Sequence, residues 1–114
     1  MKRTVFTIMA LASSFGPALA AEPIIGTWKR ANGTLIEYKN CGGADYCGTV
    51  LNNEYKGKPI GKMSGKDGSY TGTVNKLDEG KTYSGKASVS GNTLSLAGCV
   101  MGGLICKTEK LTRQ

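Results

Sequence analysis

The stretch GKTYSGKASVSGNTLSLAGCV, from Gly80 to Val100, decides the fold because its side chains alternate between two kinds. One set of alternate positions can line a core, and its members are Tyr83, Gly85, Ala87 and Val89. The positions between them hold serines and a lysine. Since successive residues of a β-strand point to opposite faces, the alternation predicts a strand with one buried face. Leu94 and Leu96 repeat the pattern after Gly91-Asn92, a dipeptide suited to a two-residue hairpin, so we predict two adjacent antiparallel strands.

Turn-forming dipeptides recur along the chain, most of them 10 to 12 residues apart. They are Asn32-Gly33, Gly42-Gly43, Asn52-Asn53, Asp67-Gly68, Glu79-Gly80, Gly91-Asn92 and Gly102-Gly103. Strands at this spacing, with no helical stretches between them, indicate an all-β sandwich or barrel. Asn32-Gly33 also begins an N-glycosylation acceptor pattern, but we interpret it as a type I′ hairpin turn.

The N-terminus has the layout of a secretory signal peptide. Two basic residues precede a mostly apolar run, Thr4–Phe15, and Ala18-Leu19-Ala20 supplies a cleavage site of small residues. A membrane helix is the alternative, but a span needs about 20 apolar residues, and polar residues, a glycine and a proline interrupt this run. We therefore predict a signal peptide over residues 1–20 and a periplasmic or secreted protein. No cysteine directly follows the cut, so we predict no membrane anchor.

Residues 21–114 number 114 − 20 = 94 and are predicted to form one domain. Because two of the 15 basic residues precede residue 21, this part carries 13 Lys and Arg against 8 Asp and Glu, a net charge of +5. The balance favours anionic partners, and for an exported protein the phosphates and glycans of the envelope are the expected ones. No pattern of aromatic residues among basic ones indicates nucleic acid. Solubility alone also explains such a charge.

Four cysteines lie in two near pairs, Cys41 with Cys47 and Cys99 with Cys106. An even number of cysteines in an exported chain is typical of disulfides. We favour the two local bridges because each pair flanks a glycine-containing turn, although the sequence leaves the other two pairings open. A four-cysteine zinc site competes with this interpretation, but its ligands usually lie closer together and no histidine can contribute. We predict no metal site.

The composition argues against catalysis. The chain contains no histidine, so the commonest general base is missing, and the cysteines are expected to be oxidised. The adjacent carboxylates Asp78-Glu79 fall in a turn, and the other acidic residues are scattered singly. Nothing in their spacing suggests a facing pair for acid–base work. We predict that the protein is not an enzyme and uses no cofactor.

The segment Lys56–Lys66 is rich in glycine and lysine and shows no clear alternation. A phosphate-binding loop is excluded because only three residues separate Gly61 from Gly65, where four are needed. Asp67 also stands where a hydroxyl should coordinate magnesium. We predict a solvated connection or a short edge strand, whose lysines would discourage pairing with other chains.

A set of short motifs occurs in order along the chain: Gly26-Thr27-Trp28, Cys41, Cys47-Gly48, Glu79-Gly80-Lys81-Thr82-Tyr83, Asn92-Thr93-Leu94, Gly98-Cys99-Val100 and Thr112-Arg113. This set resembles the DUF2147 family of small exported bacterial proteins of unknown function. The resemblance implies a small antiparallel up-and-down β-barrel of about eight strands, similar to lipocalins and fatty-acid-binding proteins. It also implies a bacterial, periplasmic or secreted setting and no catalytic residues.

Two further expectations follow from this resemblance. The family generally carries a tryptophan just before the Thr-Arg ending, whereas this chain has Leu111, so its cavity is expected to differ. By analogy with lipocalins, in which a late arginine covers an early tryptophan at the closed end of the barrel, Trp28 and Arg113 are expected to form a structural cation–π pair. Such a pair is worth about 0.5–2 kcal/mol.

In the last predicted strand, one set of alternate positions, which share a face, holds both apolar and charged residues. They are Ile105, Lys107, Glu109, Leu111 and Arg113. If Leu111 points into the barrel, Glu109 does as well, and burying an unpaired charge costs on the order of several kcal/mol. We therefore expect Glu109 to meet Lys107, Arg113 or a tyrosine hydroxyl, or to lie in a wet cavity.

These observations lead to two functional hypotheses. In the first, a small hydrophobic or amphipathic ligand lies against Tyr38, Tyr83 and Leu111 with its polar end near Glu109. Alternatively, the polar groups of these residues partner one another within the core, and no ligand is bound. In the second hypothesis, the basic outer surface binds an anionic envelope or host component, and the barrel holds no ligand.

Overall fold

The chain forms a closed antiparallel barrel in which each strand pairs with the next and the last pairs with the first. The computed structural model describes residues 21–114, and the predicted signal peptide lies outside the described residues. The strands are β1 (Gly26–Lys29), β2 (Leu35–Gly42), β3 (Asp45–Val50), β4 (Pro59–Lys66), β5 (Ser69–Lys76), β6 (Lys81–Ser90), β7 (Thr93–Val100) and β8 (Ile105–Arg113). The predicted all-β barrel of about eight strands is confirmed.

Successive strands run in opposite directions, so their connections fall alternately at the two ends of the barrel. We call one end the mouth, and its loops span residues 30–34, 51–58, 77–80 and 101–104. The opposite end, the closed end, holds the turns at 43–44, 67–68 and 91–92 together with residues 21–25. The last loop of the mouth contains a short 3-10 turn, Met101–Gly103.

The strands that decide the fold behave as their pattern predicts. In β6, Gly85 and Ala87 are buried while the serines and the lysine between them are exposed. In β7, Leu94 and Leu96 are buried against β8. Gly91 begins the two-residue turn between these strands with a φ of 58°, a conformation that glycine adopts without steric cost.

A cation–π pair covers the closed end of the barrel. The Arg113 guanidinium carbon lies 4.3 Å from the centre of a Trp28 ring, as expected. The same guanidinium donates hydrogen bonds to the carbonyls of Pro23 (2.9 Å) and Ile25 (3.3 Å). The Trp28 indole nitrogen donates to the carbonyl of Ile24 at 2.9 Å. These bonds hold the segment before β1 across the barrel end, where Ile24 is fully buried.

Both predicted local disulfides are present, linking Cys41 to Cys47 and Cys99 to Cys106. Each bridge crosses a hairpin, the first at the closed end and the second at the mouth. All four sulfurs are used, so no thiolate remains for a four-cysteine zinc site. On the chain-entropy model, closing such a short loop is worth about 2 kcal/mol.

The prediction for Lys56–Lys66 was wrong over most of its length. Residues 59–66 form strand β4, which pairs with β3 on one side and β5 on the other, so it is neither a connection nor an edge. A register shift leaves Ile60 without a direct partner on β3, and both Ile60 and Met63 are buried. This bulge places two inward side chains three residues apart, which removes the alternation that marks a strand.

The hairpin at Asn32-Gly33 also differs from the predicted type I′ turn. The Gly33 N–H donates to the Arg30 carbonyl at 2.9 Å, so Ala31 and Asn32 are the central turn residues. Gly33 follows them with a φ of 92°, and the loop is one residue longer than predicted. The Asn32 side chain accepts a hydrogen bond from the Thr34 N–H at 2.9 Å, which favours this local geometry.

Candidate functional site

A cavity of about 850 Å³ opens at the barrel mouth. Its apolar lining is formed mainly by Val50, Ile60, Val74, Leu77 and Leu96, which are buried or half-buried. Around these side chains lie polar and charged ones supplied by the mouth loops and the strand ends: Arg30, Asn53, Lys76, Glu79, Lys107 and Glu109. The arrangement is an apolar chamber with a charged rim, which is the usual construction of a small-molecule site.

The strongest polar feature of the rim is an ion pair between Arg30 and Glu109. The Arg30 Nε lies 2.8 Å from Glu109 Oε1, and Nη2 donates to Oε2 at 2.9 Å. The two side chains remain 32% and 40% exposed, so the pair lies at the border between solvent and the cavity. Its forked geometry fixes the orientation of the Glu109 carboxylate.

The ion-pair partner of Glu109 differs from the expected Lys107 or Arg113. Lys107 lines the same cavity without forming an ion pair with Glu109, and Arg113 lies at the closed end. Arg30 takes their place because the loop after β1 folds over the cavity beside β8. The expected position of Glu109 at a cavity is observed.

A second polar group lies on the rim around Lys76. The Lys76 ammonium contacts Asp78 at 3.1 Å and Glu79 at 3.6 Å, and the Tyr83 hydroxyl donates to Glu79 at 3.0 Å. The hydrogen bond to Lys76 lowers the pKa of Asp78, and that to Asp78 raises the pKa of Lys76. The bond to Glu79 raises the pKa of Tyr83, because the neutral phenol is the donor. Lys76 therefore offsets part of the negative charge that Asp78 and Glu79 bring to the rim.

A buried hydroxyl lies in the core of the barrel. Tyr38 is fully buried, and its hydroxyl oxygen has no hydrogen-bond partner among the described residues. Burial, with the nearby Glu109 charge as a second cause, raises the pKa of this phenol. A buried hydroxyl without a partner costs free energy relative to one that is hydrogen-bonded. Because Tyr38 does not line the cavity at the mouth, this unpartnered hydroxyl is a feature of the packed core.

Of the four residues predicted to form the pocket, the structure brings Tyr83 and Glu109 to the cavity wall. Tyr38 and Leu111 are fully buried core residues outside that wall. The prediction missed Arg30, Asn53, Tyr55 and Leu77, which lie in or beside mouth loops. The alternation of inward and outward side chains applies only to strands. It therefore could not predict that these loop residues lie at the cavity.

Comparison with known proteins identifies a family. A family model described as an uncharacterized protein conserved in bacteria, DUF2147, matches residues 26–113. The chain belongs to the DUF2147 family. No curated protein and no solved structure matches this DUF2147 chain.

Within the described residues 21–114, this DUF2147 barrel has no helix long and apolar enough to cross a membrane. The same residues contain no group of three or more His, Cys, Asp or Glu side chains arranged to hold a metal ion. A bacterial family together with two disulfides is typical of an extracellular or periplasmic protein.

The Tyr38 hydroxyl gives a first testable prediction for this DUF2147 protein. Replacing Tyr38 by phenylalanine should leave the free energy of unfolding unchanged or raise it by about 1 kcal/mol, because no hydrogen bond is lost. Tyr70→Phe is the matched control. The Tyr70 hydroxyl donates to Glu22 at 2.9 Å and accepts from the Gly68 N–H at 3.2 Å, so its removal should cost about 1 kcal/mol.

Urea unfolding of ligand-free protein measures both tyrosine variants. A loss of stability in Tyr38→Phe as large as that in Tyr70→Phe would mean that the Tyr38 hydroxyl is satisfied in the empty barrel.

Proposed function

We propose that this protein is an exported, non-catalytic binding protein that holds a small hydrophobic or amphipathic molecule in the cavity at the barrel mouth. The observation that carries the proposal is the cavity itself, whose 850 Å³ lies in the range of about 300–1,000 Å³ typical of ligand sites. An interior filled by side chains alone would leave no such space. Export is supported by the two disulfides and by the bacterial family.

The distribution of side chains supports an amphipathic ligand rather than a wholly polar one. The buried part of the lining is apolar, with Val50, Ile60 and Leu96 all buried, and it can accept a hydrocarbon or ring system. The polar end of the ligand would lie at the Arg30–Glu109 pair, where both a guanidinium donor and a carboxylate acceptor are exposed to the cavity.

A second candidate function follows from charge. The described residues carry a net charge of +5, and the outer surface could bind an anionic envelope or host component without any internal ligand. The same charge also serves solubility, so it supports this alternative less directly than the cavity supports a ligand.

Native mass spectrometry of exported protein, purified without denaturation, separates the two functions. We expect a fraction of the molecules to carry an extra mass of a few hundred daltons, on the order of one small ligand per cavity. Organic extraction should release the same compound. Bare protein together with salt-sensitive retention on an anionic polymer would instead favour the surface function.

A further inference from the structure

We propose that the tip of the β7–β8 hairpin docks the barrel mouth onto the surface of an anionic phospholipid bilayer. All large hydrophobic side chains that are exposed in residues 21–114 belong to this one tip, which we call the apolar lip. They are Val100 (41% exposed), Met101 (69%), Leu104 (85%) and Ile105 (56%). Single exposed apolar residues are ordinary, but their concentration at one projecting loop marks an interaction site.

The apolar lip is held in a defined shape. Its turn is closed by a hydrogen bond from the Leu104 N–H to the Met101 carbonyl at 3.3 Å. Directly beneath it, the Cys99–Cys106 disulfide joins the two strands. A loop that is already ordered loses little conformational entropy when it inserts into a bilayer. More of the free energy gained by burying its apolar surface is therefore available for binding.

The charges around the lip favour an anionic partner. Lysines of the mouth that form no ion pair in the described part of the chain include Lys56, Lys58, Lys81 and Lys107. The mouth carboxylates of Asp78, Glu79 and Glu109 are paired with Lys76 or Arg30, whereas that of Glu54 is not. Lys76 has one positive charge against two carboxylates, so the four unpaired lysines, Glu54 and this group together leave the mouth with a net charge of +2. Lysines near an anionic lipid surface each strengthen its binding.

The lip is continuous with the cavity. Val100 and Ile105, which pair with each other across the hairpin, both line the cavity as well as the tip. An apolar surface therefore runs from the chamber to the outermost side chains. On a bilayer the lip would reach the acyl region while the surrounding lysines stay among the headgroups, which is the usual division for interfacial binding.

A second copy of the chain fits this surface less well. Two copies meeting lip to lip would bring the unpaired lysines of both mouths together, which like-charge repulsion opposes. Four side chains at a hairpin tip are also few compared with the 20–30 residues that each partner brings to a standard interface, about 800 Å² a side. A bilayer needs no surface that matches the lip in shape, and its anionic headgroups are opposite in charge to the lysines.

Vesicle flotation tests the docking. Wild-type protein should float with vesicles of phosphatidylglycerol and phosphatidylethanolamine at low salt, bind phosphatidylcholine vesicles weakly, and dissociate as salt is raised. The double substitution Met101→Ser and Leu104→Ser should lower the partition coefficient at least about tenfold. Lys58→Gln should lower it about fivefold, whereas Lys66→Gln, a lysine at the closed end, should leave it unchanged.

A reporter variant keeps the test independent of folding defects. Leu104→Trp keeps the lip apolar, and its emission should shift to shorter wavelength on anionic vesicles, whereas Asn92→Trp at the closed end should not shift. The proposal is overturned if wild-type protein does not float, if the double serine variant floats equally well, or if sedimentation shows a dimer that depends on the lip. These readouts need no cavity ligand, so their failure is distinct from failure of the proposed binding function.

Discussion

Replacing Gly72 by alanine should lower the free energy of unfolding by about 3 kcal/mol or more. A Cβ at Gly72 would overlap the carbonyl oxygen of Lys62 and lie 2.9 Å from its carbonyl carbon and 3.0 Å from the Met63 Cα. These atoms belong to the backbone of β4, so no side-chain rotation relieves the clash. The two strands would have to separate, which disturbs the hydrogen bonds that close the barrel.

The size of this effect matters because a domain of this length has little stability to lose, on the order of 5–15 kcal/mol. Thermal unfolding followed by far-ultraviolet circular dichroism should show the Tm falling by more than about 10 °C. Gly98→Ala is the matched control, since a Cβ there meets only the Tyr83 Cβ at 3.8 Å. It should change the free energy of unfolding by less than about 0.5 kcal/mol. Equal stabilities of the two variants would contradict the close approach of β4 and β5.

Most of the fold could be predicted from the sequence because most strands alternate regularly. In β6 and β7 each inward side chain follows a polar outward one, and the Gly91-Asn92 turn separates the two runs. The pairing of Trp28 with Arg113 and both disulfides could also be predicted. The pairing followed from a family resemblance, and each bridge from the short loop that its two cysteines enclose.

Strand β4 could not be predicted because apolar and polar side chains do not alternate regularly along it. The bulge at Ile60 changes the inward parity, and Gly61 and Gly65 adopt φ values of 146° and 153°. A side chain at either glycine would overlap a carbonyl oxygen of β5, of Thr73 or Ser69. The glycines that make the segment resemble a loop are the residues that let two strands approach closely.

Only those residues of the candidate site that lie on strands could be predicted from the sequence. Parity on β8 placed Glu109 at the interior, and its position at the cavity follows from that parity. Its partner Arg30 is 79 residues away in a loop, so the ion pair depends on closure of the barrel between β1 and β8. No local pattern contains that information. The same limit applies to the apolar lip, whose residues resemble a short core segment in sequence.

A tryptophan at Gly98 should abolish ligand binding while leaving the barrel folded. Gly98 lines the cavity at the same parity as Leu96, and the space beyond it is open except for Tyr83. An indole ring there would occupy the chamber that the proposed ligand needs. We expect affinity to fall at least about a hundredfold, since the loss of most apolar contact with a small ligand is worth about 3 kcal/mol or more. Ser88→Trp, on the exposed outer face of β6, is the matched control.

The most direct measurement is a titration of wild-type protein, Gly98→Trp and Ser88→Trp with the neutral apolar dye N-phenyl-1-naphthylamine, after bound lipids have been extracted. Circular dichroism first confirms that all three are folded. Saturable binding of one dye per chain to the wild type and to Ser88→Trp, with none to Gly98→Trp, is the result expected for a ligand-binding cavity. Absence of saturable binding to the wild type, or equal binding to Gly98→Trp, would contradict it.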